Sequence, residues 1–170
     1  MNSVQIHQVD PSEIETVSSI LSEAAEWLDE RGIPLWSDHE VDSKAIQGHV
    51  AAGLYWLATV DGDAAGCVRY QLEDFRFWPD AKLGEAAYVQ RLAVKRAFAG
   101  GTVSAALLDW AKAHALDKGH DYLRLDCDAN RPALHRFFER HGFKRVDEHE
   151  VGANTILLYE HDLHAPRDLD

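Results

Sequence analysis

The segment from Arg91 to Ala111, RLAVKRAFAGGTVSAALLDWA, constrains the fold more than any other. An alternating apolar run ends in a turn of small residues, and an amphipathic helical pattern starts directly after it. Gly100 and Gly101 therefore stand between a strand and a helix N-terminus, where unpaired backbone N–H groups and the positive end of the helix converge. Such a point suits a phosphate, and the lack of large side chains from Ala99 to Ala106, apart from Val103, lets an anion reach the backbone. Two glycines that merely turn a strand into a helix have the same local sequence, so the rest of the chain has to decide. No Walker-type lysine follows the turn and no G-x-G-x-x-G opens a first βαβ unit, which disfavours nucleoside triphosphates and dinucleotides.

The elements around the turn define an α/β order. VQIHQV (Val4 to Val9) alternates like a half-buried strand, and Asp10 with Glu13 makes a capping box around Pro11. Ile14, Val17, Leu21, Ala24 and Leu28 then recur at helical spacing until Gly32 and Pro34 stop them. A weaker helix is predicted over Ser43 to Ala52. Two strands follow about an Asp61-Gly62 turn, and a third runs from Glu85 to Val94, an antiparallel meander. Val103, Ala106, Leu107, Trp110 and His114 mark one face of the next helix, with Gly119 as its C-terminal cap. A strand from Asp121 to Cys127, a helix from about Arg131 to His141 ending at Gly142, and two closing strands complete the order. The expectation is a mixed, mostly antiparallel sheet of about seven strands flanked by about four helices.

At 170 residues and 46% hydrophobic, the chain suits one well-buried domain, expected over residues 1–163 with a loose tail over 164–170. A net charge of −12 argues against nucleic acid and anionic membranes, which require a basic footprint. No stretch approaches the ~18 apolar residues of a membrane span, and the N-terminus has no apolar leader core, so a cytoplasmic location is expected. Cys67 and Cys127 read as buried reduced thiols, and no metal-ligand spacing is found; His135 and His141, six apart, do not form one.

The strand, the bare turn and the helix resemble the GNAT superfamily of acyl-CoA-dependent N-acyltransferases. The triplet Leu92-Ala93-Val94 matches the end of its signature strand, Ala99 to Ser104 its phosphate turn, and ALLDWA its helix. A second element, YLRLDC, Asn130 and ALHRFFERHGF closing in Gly142-Phe143, follows in the family order, and the two cover about Glu85 to Val146. The resemblance implies acetyl-CoA as co-substrate. It assigns Leu92, Ala93 and Val94 to the pantetheine arm and Ala99, Gly100, Gly101, Thr102, Val103 and Ser104 to the phosphates, with Asn130 and Phe138 at the second element. This chain departs from the family at several points. Ala99, Thr102 and Ser104 occupy the turn positions usually filled by a long polar residue, Gly, and Gly or Ala. Asn130 stands one residue before the usual asparagine, with Arg131 at the matching place, and is either a cofactor contact or a helix cap. Phe138 stands where the family often has a proton-donating tyrosine.

Amide formation requires two proton movements. An alkylamine with pKa near ~10.4 is neutral about once in ~10³ molecules at pH 7, so a base or a water relay assists its attack. The leaving thiolate, pKa near ~8.5, then takes up a proton. Tyr88 and Gln90 share strand parity with Leu92 and Val94 unless a bulge intervenes, which makes Tyr88 a candidate. Glu85, the only carboxylate on the strand, has the opposite parity and is either brought round by a bulge or simply solvated.

The segments Glu26 to Val41 and Glu73 to Asp80 combine acids with Trp27, Trp36, Phe75 and Trp78, a mix suited to a cationic amine with an apolar body or to ordinary core aromatics beside solvated acids. Two functions stay open: an N-acetyltransferase acting by direct transfer on a small-molecule, or possibly peptide, amine; and a catalytically weak acyl-CoA-binding module. A monomer or homodimer is expected.

Overall fold

The structure, a computed structural model, describes residues 3–166. Strand β1 (Val4–Gln8) leads through a 3-10 turn (Pro11–Glu13) into helix α1 (Ile14–Asp29). A one-turn α2 (Asp38–Val41) and α3 (Ser43–Ala51) follow, then β2 (Tyr55–Val60), β3 (Asp63–Gln71), β4 (Ala86–Val94), α4 (Val103–Asp117), β5 (Tyr122–Asp128), α5 (Pro132–Arg140), β6 (Lys144–Val151) and β7 (Asn154–Asp162). The seven strands lie in the order β1-β2-β3-β4-β5-β7-β6. The β1–β2, β2–β3, β5–β7 and β6–β7 pairs are antiparallel, and β4 runs parallel to β5.

Local sequence accounts for most boundaries. The Asp10 side chain accepts from the Ser12 amide, and the Glu13 side chain accepts from the Asp10 amide, closing the expected capping box. Asp61 (φ 52°) and Gly62 (φ 85°) both have positive φ, the requirement of a tight two-residue hairpin loop between twisted strands. The unexpected α2 carries a capping box of its own, Ser37 with Glu40. Asp42 caps α3 by accepting from the Ala45 amide at 2.8 Å. Helix α4 differs from the expected face: Leu108, Ala111 and Ala115 are fully buried along with Leu107, whereas Trp110 and His114 are half-buried. That helix carries apolar residues nearly all round, so its spacing fits more than one face.

The chain divides into two compact units, Met1–Tyr70 with Arg91–Trp110, and Gln71–Gln90 with Ala111–Asp170. In the first, Val17, Ile20 and Leu21 of α1 and Ile46 and Val50 of α3 bury against Tyr55, Leu57, Cys67 and Ala93 of the strands. Each such side chain contributes about 1.5–3 kcal/mol through removal from water. In the second, Phe138 of α5 packs on Phe143 and Tyr159, with ring centroids 5.9 and 6.0 Å apart. Of the expected loose tail, residues 167–170 lie outside the described residues. His164 and Ala165 are tied down, by the His164 amide to Asp162 Oδ1 at 2.9 Å and the Ala165 amide to the Asp162 carbonyl at 3.2 Å. Among the described residues, no helix is long and apolar enough to cross a membrane.

Candidate active site

The first unit carries the bare turn. After β4 the Lys95 amide donates to the Ala65 carbonyl at 2.8 Å, fixing where the strand ends. Ala99, Gly100, Gly101 and Thr102 are all exposed. Gly100 has φ +76°, a conformation that L side chains rarely adopt, and a Cβ at Gly101 would meet the Phe98 carbonyl at 3.3 Å. The Thr102 carbonyl accepts the first helical bond, from the Ala106 amide at 2.9 Å, so Thr102 is the last residue before α4. The amides that open a helix have no carbonyl one turn back, and these emerge beside an exposed, side-chain-poor turn. Val103 is buried and anchors the first turn of the helix, while Ser104 is half-buried.

Upstream, Leu92 and Val94 are half-buried and Ala93 is 5% exposed. The parallel β4–β5 register runs from Ala86↔Tyr122 to Val89↔Leu125, so the triplet lies beyond it in sequence. Arg91, just before the triplet, has φ +54°. A left-handed residue of this kind interrupts the alternation of a strand, so the period-two count from Tyr88 and Gln90 to Leu92 and Val94 does not carry across it.

The second unit brings Glu85 and Tyr88 together, against their opposite parity. Both reach Arg124: its Nη1 donates to the Tyr88 hydroxyl oxygen at 3.1 Å and to Glu85 Oε2 at 3.3 Å, while Nε donates to Glu160 Oε2 at 2.8 Å. Glu85 lies one residue before β4, where its carbonyl accepts from the Asp121 amide at 2.9 Å and the preceding Gly84 carbonyl is held by His120 at 2.8 Å. Strand alternation does not yet apply to it there. Glu85 is thus an ion-paired residue, not a freely solvated one. Arg124 is only 7% exposed, with its guanidinium over the Trp78 ring at 4.5 Å. Burial works against its charge, but hydrogen bonds to Glu160 and Tyr88 outweigh burial and hold its pKa above the ordinary value. Gln90 donates to the buried Asp74 carboxylate at 2.9 Å.

Asn130 is exposed, and its amide donates to Asp128 Oδ1 at 2.8 Å. It is not the helix cap. Arg131 takes that position, with no side-chain cap bond, because Pro132 occupies the first helical residue. Phe138 is 4% exposed within the aromatic core of its unit. Cys67 and Cys127 are free and buried, and burial pushes both thiols up to about 12, which suits packing more than nucleophilic chemistry. Among the described residues no group of His, Cys, Asp and Glu is placed to hold a metal ion.

The three tryptophans of the two acid-rich segments meet arginines of this same chain, whereas Phe75 is exposed. Trp27 lies under Arg31 and Arg96 at 3.7 and 4.0 Å, Trp36 under Arg91 at 5.0 Å, and Trp78 under Arg124. Sequence reasoning passed over Arg69, Arg91 and Arg124. An arginine in an apolar strand was their one signal.

Residues 21–143 match the family described as the Acetyltransferase (GNAT) family. The chain is 33% identical over 157 residues to the uncharacterized N-acetyltransferase YesJ of Bacillus subtilis, covering 89% of this chain and 86% of that one. It is 28% identical over 113 residues to an aminoalkylphosphonate N-acetyltransferase of Salmonella typhimurium, covering 63% and 71%. A GNAT-family acetyltransferase structure from Listeria monocytogenes superposes with a TM-score of 0.78 at 23% identity, over 94% of each chain.

Proposed function

Since the chain belongs to the GNAT family of acetyl-CoA-dependent acyltransferases, we propose that it is an N-acetyltransferase that moves the acetyl group of acetyl-CoA directly onto the amine of a small molecule. The observation that carries this reading is the exposed turn Ala99 to Thr102 at the start of a fifteen-residue helix, bare of side chains where an anion would approach. In this reading the backbone of Leu92, Ala93 and Val94 serves the pantetheine arm, and the turn from Gly100 through Ser104 serves the phosphates, the Gly101 amide being already engaged by the Phe98 carbonyl at 3.3 Å. No metal has a part in it.

In direct transfer the amine nitrogen bonds to the thioester carbonyl carbon, the C–S bond breaks, the amine gives up a proton, and the departing thiolate gains one. The chain's part is to hold and move those protons. Tyr88 is suited to donation: its oxygen accepts from Arg124, which leaves its own O–H free to point elsewhere. Glu85 and Glu160 keep Arg124 in place, so Arg124 is a positioning residue for Tyr88, and Glu85 acts through it. Tyr88 thereby offers a hydroxyl that Phe138 lacks. The acceptor is a small primary amine, a choice supported by the similarity to an aminoalkylphosphonate N-acetyltransferase.

The test is thiol release from acetyl-CoA across a panel of amines, combined with thermal shift by acetyl-CoA alone. Acetyl-CoA at about 100 times its dissociation constant stabilises the protein by about 2.7 kcal/mol. Stabilisation by NAD or ATP with none by acetyl-CoA would refute the assignment.

A further inference from the structure

Within the first unit, four polar side chains of three elements and a strand kink come together. Tyr55 of β2 stands directly opposite Arg69 of β3. Arg69 Nη1 lies 3.5 Å from His49 Nδ1 of α3, and the His49 ring is edge-on to Tyr55 at 6.2 Å. Arg91, at the β4 kink, lies over Trp36 and reaches Glu40 at 3.6 Å, while its carbonyl accepts from the Cys67 thiol at 3.8 Å.

This group is rich in donors. An arginine can only donate, so His49 Nδ1 accepts and the imidazole proton resides on Nε2. Tyr55 is 1% exposed and has Arg69 as its hydrogen-bonding neighbour, whereas the Nε of Arg91 is buried and unpartnered. Leaving a buried donor unpaired is costly, and an unpaired guanidinium N–H beside further donors indicates that something outside the chain completes it. Glu40 does not. It is half-exposed, its other oxygen already accepts from the Ser37 amide at 2.8 Å in the α2 capping box, and its contact with Arg91 is long. Burial first, then the charges of Arg69 and Arg91, hold His49 below its ordinary pKa, so both guanidiniums act on the one ring.

We propose that Arg69, Arg91, Tyr55 and His49 form an anion subsite that holds an acid group of the acceptor, so that the substrate is a short amino acid or aminoalkyl oxyanion and not a simple alkylamine. The proposal rests on the acetyltransferase reading above and narrows its substrate class. In a chain of net charge −12, two guanidiniums acting on one imidazole form a local positive group that favours an anionic partner.

Three amines of matched length test it: 2-aminoethylphosphonate, β-alanine and propylamine. At least one of the two acids should exceed propylamine in kcat/KM by about tenfold or more, and the comparison of the two identifies the acid group. In Arg69→Gln and Arg91→Gln that ratio should fall toward one. Independently of turnover, methylphosphonate added to the wild-type protein should raise the His49 pKa observed by NMR, with His49→Gln identifying the resonance among the ten histidines. Turnover of all three amines at similar kcat/KM, with no His49 response, would overturn the subsite and leave the acetyltransferase intact. A His49 response without thiol release from any amine would leave the anion site standing and overturn the acetyltransferase reading instead.

Discussion

Arg124 donates to the hydroxyl oxygen of Tyr88 across 3.1 Å, in surroundings where both side chains are more than nine-tenths buried. A phenol whose oxygen is already an acceptor presents its proton in one remaining direction. Tyr88→Phe should therefore lower kcat by about 10²- to 10⁴-fold while acetyl-CoA affinity stays near wild type. The same change leaves a charged donor short of a partner, and the variant should lose about 1–3 kcal/mol in urea unfolding. Full activity in a folded Tyr88→Phe protein would remove Tyr88 from the proton path.

Gly101→Glu places a carboxylate among the amides assigned to the phosphates. Calorimetry should find acetyl-CoA binding abolished, by repulsion and obstruction. The contact of a Cβ with the Phe98 carbonyl at 3.3 Å is tight but local, so the fold should persist. Wild-type affinity in this variant would make the turn merely structural.

Phe138 is enclosed by Phe137, Phe143 and Tyr159. Phe138→Ala should cost about 3–5 kcal/mol of stability from the cavity it opens. Phe138→Tyr adds only a hydroxyl, and steady-state kinetics should show turnover unchanged or raised. A large fall with acetyl-CoA affinity intact would mean that position 138 is remote from the sulfur or that another donor already acts there.

Three histidines set an acid limit to stability. Burial is the leading cause that lowers the pKa of His49, His114 and His161; arginines add to it at His49 and lysines at the other two, while Asp117 opposes it at His114 and the Gly142 carbonyl opposes it at His161. A depressed folded-state pKa means that the unfolded chain takes up these protons first as pH falls. Stability is then highest above the ordinary histidine pKa of about 6.5 and declines below it until the folded protein also protonates. The urea midpoint should fall between pH 7.5 and pH 5.5, and His49→Gln should flatten that slope. A midpoint that rises on acidification would contradict this.

Much of the framework follows from short-range signals that act locally. Asp61-Gly62 forces a hairpin because both residues accept positive φ, and Asp10 with Glu13 starts a helix through bonds three residues apart. Gly100 marks the turn for the same reason. The site chemistry is different. Glu85, Tyr88 and Arg124 meet only after β4 and β5 pair in parallel, and no spacing along the chain encodes that meeting. The kink at Arg91 was hidden because arginine is not a residue whose presence announces a left-handed conformation. The shared face of Tyr88, Gln90, Leu92 and Val94 depends on an uninterrupted strand, and the positive φ at Arg91 is where that condition ends.

Gly66 in β3 has a neighbourhood with a wider reach. A Cβ there would stand 2.8 Å from the Ala93 carbonyl, 3.0 Å from Val103 and 3.3 Å from Leu107. The missing methyl thus sets the spacing between β4 and the first turn of α4. A single added carbon on this buried strand would press on Val103, the residue that follows the exposed turn. If the turn holds the co-substrate as proposed, its affinity should respond to a change at Gly66 inside the sheet, a position that screening only the residues facing the ligand would overlook.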